Sequence, residues 1–118
     1  MIFKRTQYVG DFYAFKQAVV DPNPLTLLLI FGFNQNAATR YLMLFNSQVF
    51  PPNGTGAFTQ IKIPGEGTFS LGPFFTDLQS GGIDFSIGLS LQVSTTPDVL
   101  TLSATNDISA SFQIGYKQ

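Results

Sequence analysis

Between residues 83 and 93 the chain alternates without exception: Ile83, Phe85, Ile87, Leu89, Leu91 and Val93 are apolar, and Asp84, Ser86, Gly88, Ser90 and Gln92 between them are not. A side chain that changes face at every residue belongs to a β-strand with one face toward a core and the other away from it. At ~3.3 Å per residue the segment reaches roughly 35 Å, which predicts a strand crossing a whole sheet. A second alternating run sets Ile108, Ala110, Phe112, Ile114 and Tyr116 on one face and Ser109, Ser111, Gln113, Gly115 and Lys117 on the other. Between the two runs, residues 99–104 carry Leu100 and Leu102 at inward positions, and turn residues flank them at 94–98 and 105–107. The C-terminal third therefore reads as a three-stranded antiparallel meander.

The rest of the chain supplies more strands and no helix. Residues 1–10 lack a clean period and read as an arm or edge strand of the domain. Phe12, Tyr13, Phe15, Val19 and Val20 make an extended segment, which Asp21-Pro22-Asn23-Pro24 stops, since proline suits neither helix interior nor ladder. Residues 25–33 are apolar on both parities and predict a strand buried on both faces. Residues 40–46 are similar and are expected to pair with 25–33 as a hairpin. Pro51-Pro52-Asn53-Gly54 is turn chemistry, Ile61 and Ile63 share one strand face, and Pro64-Gly65-Glu66-Gly67 ends that strand. Short strands separated by turn signals every 8–12 residues or so predict an all-β, single-domain β-sandwich over residues 1–118, jelly-roll-like in its winding.

Composition removes many activities. With no cysteine and no histidine, thiolate and imidazole metal sites and Ser-His or Cys-His nucleophile pairs have no ligands or bases. No catalytic, cofactor-binding or metal-ligating residue is assigned. Five of the seven acids, Asp11, Asp21, Glu66, Asp98 and Asp107, sit beside Gly, Pro or Asn and read as turn formers, and Asp77 falls in the irregular stretch 68–82. Asp84 alone lies inside a clear strand, on the non-core face, where a cation, Arg40 or Lys62 would be its partner. Asn53-Gly54-Thr55 matches a glycosylation sequon and reads first as a turn. A net charge of −1 with six scattered Lys and Arg gives no footprint for nucleic acid. The longest apolar run is about half of what a spanning helix requires, and no membrane or targeting segment is expected.

Charged residues are 11% of the chain, against ~25% in an average domain. The non-core faces of the two alternating runs are nearly neutral, and small neutral side chains let another sheet approach at little desolvation cost. A homo-oligomer, a trimer above others, or docking on a larger shell is expected, with Ser86, Ser90, Gln92 and Gln113 in the contact. Most phenylalanines are expected in the core. Phe50 and the adjacent pair Phe74 and Phe75 sit in Pro/Gly-containing connectors and are the expected apolar anchors.

One resemblance bears on function. Asn36-Ala37-Ala38-Thr39-Arg40-Tyr41-Leu42-Met43-Leu44-Phe45-Asn46, Pro51-Pro52-Asn53-Gly54-Thr55, Ile61-Lys62-Ile63-Pro64, Gly82-Ile83-Asp84-Phe85-Ser86-Ile87-Gly88-Leu89 and Ser94-Thr95-Thr96 follow one another over residues 34–104. This order of small-residue loop, R-Y-L strand, proline-rich turn, G-I strand and S-T-T turn resembles small virion proteins of tailed bacteriophages. The resemblance implies a non-catalytic β-sandwich subunit, assembled in the host cytoplasm and carried on the virion as a capsid decoration, head-fibre or tail-associated component. Its partners would be copies of itself and other virion proteins. The alternative for the same fold is a carbohydrate- or receptor-binding module, with a glycan as its ligand.

Overall fold

The computed structural model describes residues 3–72 and 82–117. Within them the first strand pairs with the last: β1 (Phe3–Phe15) runs antiparallel to β9 (Ile108–Lys117). One step inward, β2 (Gln17–Asp21) pairs with β8 (Leu89–Ser94), β3 (Leu25–Asn34) with β6 (Thr68–Leu71), and β4 (Arg40–Asn46) with β5 (Thr59–Ile63). These nested pairs amount to one long hairpin, rolled so that successive pairs fall in opposite sheets. One sheet has the order β1-β9-β3-β6 and the other β2-β8-β4-β5, which is a jelly roll of two antiparallel sheets. A short strand, β7 (Ile83–Phe85), pairs with the beginning of β3.

Both alternating runs meet in the core between the sheets. Phe85, Leu89, Leu91 and Val93 pack with Ile108, Ala110, Phe112 and Ile114, and Ile83 and Tyr116 close the cluster from its edge. Leu89→Ala is therefore expected to cost about 2–5 kcal/mol in urea unfolding, the range for a truncated core leucine. Ser90→Ala, which forfeits one long bond to the Val49 carbonyl, should cost about 1 kcal/mol or less. Equal losses at the two positions would overturn this register.

Residues 83–93 are nevertheless not one strand. β7 ends at Phe85 in one sheet and β8 begins at Leu89 in the other. At the crossing, Ile87 turns outward, and the Asn46 side chain holds the bend: its Oδ1 accepts from Ile87 N at 2.8 Å and its Nδ2 donates to Ser86 Oγ at 3.0 Å. Gly88 passes so close to the β2 end that a Cβ there would lie 2.8 Å from the Asp21 carbonyl oxygen. Alternation persists on both sides of the break because each half faces the same core.

The meander is likewise corrected. β8 pairs with β2 and β4, while β9 pairs with β1 and β3, so the two runs are in opposite sheets. Residues 99–104 form only isolated bridges, Gly56 with Val99 and Ser94 with Leu102. They fold back over the outer face of the second sheet, where Leu100 joins Met43 and Phe45 in a smaller apolar cluster. The expected hairpin of 25–33 with 40–46 is absent too, since β3 and β4 belong to different sheets. Buried Asn34 makes the corner: its Nδ2 donates to the carbonyls of Ala38 and Pro64 at 3.0 and 3.1 Å, and its Oδ1 accepts from Asn36 N at 2.9 Å.

In the N-terminal third, the edge-strand alternative holds for the described part of residues 1–10, which begins a 13-residue edge strand. The extended segment expected from Phe12 to Val20 is divided where the chain crosses sheets at Lys16, whose carbonyl accepts from Val93 N at 2.8 Å. In β3, both faces are covered only at the start, where Leu25, Thr26, Leu27 and Leu28 are all buried. An irregularity between Leu27 and Leu29 in the pairing with β9 follows, and beyond it Phe31 and Phe33 emerge on the outer face, 46% and 40% exposed.

Candidate functional site

The residues expected to form one contact surface are distributed over three environments. Ser90 and Gln92 are buried within the chain itself, because residues 47–56 lie over β8: Ser90 Oγ points to the Val49 carbonyl at 3.4 Å, and Gln92 Nε2 donates to the Pro51 carbonyl at 3.2 Å. Neither is available to a partner, and a lysine at Ser90 would bury a charge rather than disturb an interface. Gln113 lies half-buried on β9 in the opposite sheet. Phe74 and Phe75 lie outside the described residues.

Ser86 and Phe50 do remain exposed, at an end of the sandwich with an apolar rim. Ser86 and Ile87 are tied to Asn46, and Ser47 N donates to the Gly88 carbonyl at 3.1 Å, which brings the start of the 47–56 segment against the β7–β8 bend. Phe58, just before β5, places its ring 5.3 Å from that of buried Phe85. Val49, Phe50, Phe58 and Ile87 are each between 40% and 66% exposed. Exposed large apolar side chains gathered on a weakly charged surface mark contact sites.

A second surface is the outer face of β1, β9 and β3. Asp11 on β1 stands opposite Ser111 on β9, which stands opposite Phe31 on β3. The Ser111 hydroxyl donates to Asp11 Oδ1. Together with Ser109 these residues line an open depression of about 190 Å³. Tyr13, two residues beyond Asp11, is almost wholly solvent-exposed. The neutral composition of β9 showed that this face would be polar and small. Its aromatic border was hidden, because Phe31 and Phe33 sit in a run whose unbroken hydrophobicity signals burial.

The acids are structural where their partners are clear. Asp107 is 3% exposed and accepts four hydrogen bonds: from Ser103 Oγ at 2.7 Å and Arg40 Nε at 2.9 Å on one oxygen, and from Thr105 Oγ1 at 2.6 Å and Asn36 Nδ2 at 3.1 Å on the other. Burial pushes its carboxyl up, but these donors outweigh it and hold the group below the ordinary carboxylate range. Arg40 is thus committed to Asp107, and Asp84 instead accepts from Thr26 Oγ1 at 2.6 Å. Asn53 makes its turn, with Oδ1 accepting from Leu102 N at 2.9 Å and Gly54 at a φ of 92°. Among the described residues no three of His, Cys, Asp and Glu gather as metal ligands. Compared with protein-family models, curated proteins and solved structures, the chain matches none.

Proposed function

We propose that the protein is a non-catalytic structural subunit of a phage particle, which decorates or stabilises the capsid or an appendage through contacts with its own copies and with a shell. The observation that carries this reading is the apolar rim of Val49, Phe50, Phe58 and Ile87 on a chain with so little charge. Burying such a rim removes apolar area from water while desolvating few ions, which favours a permanent contact. The likeness of residues 34–104 to tailed-phage virion proteins supplies the setting, and a jelly roll is a fold that capsid domains use.

Light scattering tests the reading. The purified protein is expected at a multiple of the 12.9 kDa chain mass, three copies foremost. Phe58→Ser with Ile87→Ser should return it to the monomer with the fold kept. A protein that is monomeric at concentrations of order 10⁻⁵ M, where contacts of micromolar affinity are formed, and that binds no particle would sink the proposal.

A further inference from the structure

We infer that the depression on the outer face of β1, β9 and β3 is a saccharide-binding site, separate from the association rim. Its floor is the small-residue middle strand, with the hydroxyls of Ser109 and Ser111. One wall is the Phe31 ring, 46% exposed, and the other is the Asp11 carboxylate. The groups are held by strand register, since Asp11 pairs with Ser111 and Ser111 with Phe31.

This combination selects its ligand class. A sugar ring has one apolar C–H face, which lies on an aromatic ring, and a border of hydroxyls, which donate to a carboxylate and exchange hydrogen bonds with serines. Phenylalanine lacks a polar handle of its own, and Asp11, Ser109 and Ser111 provide it from neighbouring strands. The lining holds one acid and no Lys or Arg, so it repels phosphate and carboxylate ligands. Its volume, about 190 Å³, is below the ~300–1,000 Å³ of pockets that enclose drug-sized molecules, and it is open to solvent. Such a hollow takes one ring of a longer chain, and exposed Tyr13 lies in the direction of the next. A quaternary ammonium is the competing occupant, because a carboxylate and an aromatic face attract cations, but cation recognition uses a cage of several rings and makes no use of the serine floor.

The test is saturation-transfer NMR and calorimetry with neutral oligosaccharides of glucose, mannose and N-acetylglucosamine, and with choline and inorganic phosphate as the other probes. At least one oligosaccharide is expected to bind, with its ring protons shifted upfield by the aromatic wall. Phe31→Ala and Asp11→Asn should each weaken binding about tenfold or more, which is ~1.4 kcal/mol. If Phe31→Ala proves poorly folded, Asp11→Asn and Tyr13→Ala, both at exposed positions, carry the comparison. Phe58→Ser with Ile87→Ser should alter mass and leave sugar binding unchanged, so the two proposals fail separately. No binding at roughly 10 mM saccharide, equal binding by all variants, or tighter binding of choline or phosphate would each overturn the inference.

Discussion

Asp107→Ala is expected to destabilise the protein by about 3–5 kcal/mol, the range for removing one partner of a buried ion pair. The loss has two parts. Four hydrogen bonds disappear, and the Arg40 guanidinium, whose side chain is 16% exposed, is left without its counter-charge. Ser103 and Thr105 on one loop and Asn36 on another are no longer drawn to a common centre, so the end of the sandwich should open first. Equilibrium urea unfolding reads the magnitude, and hydrogen exchange at residues 34–40 and 103–107 reads the location. The pH dependence has a definite sign. Because the folded carboxyl titrates below its unfolded value, the stability it contributes is complete above the ordinary carboxylate range. It is lost as the pH falls from that range through the lower folded value. Asp107→Asn should therefore flatten the acid limb of the stability profile, and an unchanged limb would show that the four donors do not favour the ionised form.

Gly32→Val should abolish folding or cost more than about 3 kcal/mol, beyond the usual 1–3 kcal/mol of an overpacked core. Gly32 sits in β3 between Ala110 of β9 and Phe69 of β6. A Cβ there would lie 2.0 Å from the Ser109 carbonyl oxygen, 2.9 Å from Ala110 Cα and 2.9 Å from the Phe69 ring. Two of the three are backbone and have no rotamer to change. The Phe69 ring already covers the glycine from the neighbouring strand, an arrangement that compensates for the missing side chain. Gly32→Ala should show most of the same loss, because the first carbon alone makes the contact. Circular dichroism and a urea midpoint measure both variants, and a near-normal midpoint for Gly32→Ala would disprove the close approach of β3 and β9.

Alternation exposed two strands that line the core from opposite sheets, because Leu89, Leu91 and Val93 and Ile108, Phe112 and Ile114 obey the period that burial on one face demands. It did not reveal the change of sheet at Gly88, since a strand leaving one sheet and another entering the facing sheet point their apolar side chains at the same core. Nor did it reveal what covers the other side of β8. Ser90, Gln92 and Ser94 are small or neutral, and whether such a face meets water, another chain or this chain's own loops depends on segments far away in sequence. Ser94 illustrates this: its Oγ donates to the Thr96 carbonyl at 2.7 Å and accepts from Thr101 N at 3.0 Å, bonds that identify a loop folded back on the strand. The aromatic wall was concealed for the opposite reason. Phe31 and Phe33 lie in the most hydrophobic run of the chain, and only the irregularity in β3 and the lack of a covering layer beyond it turn them outward.

The nested pairing also governs when the domain can exist. Asp11 and Ser111 meet across β1 and β9 although 100 residues separate them. β9 is at the same time the neighbour of β3, so one sheet lacks its second strand until the final segment is available. On a ribosome the early strands emerge long before that, and the pair that can form locally is β4 with β5, which joins Leu44 to Thr59 and Arg40 to Ile63. Closing loops of this length before their contacts repay the lost entropy makes folding slow, in the range of milliseconds to seconds for β-topologies of high contact order. Meanwhile the unpaired edges of β1 and β3 are open to strands of other nascent chains. Synthesis rate and temperature should consequently decide how much of this protein reaches its native sheet order, with most of the loss falling before β9 is released.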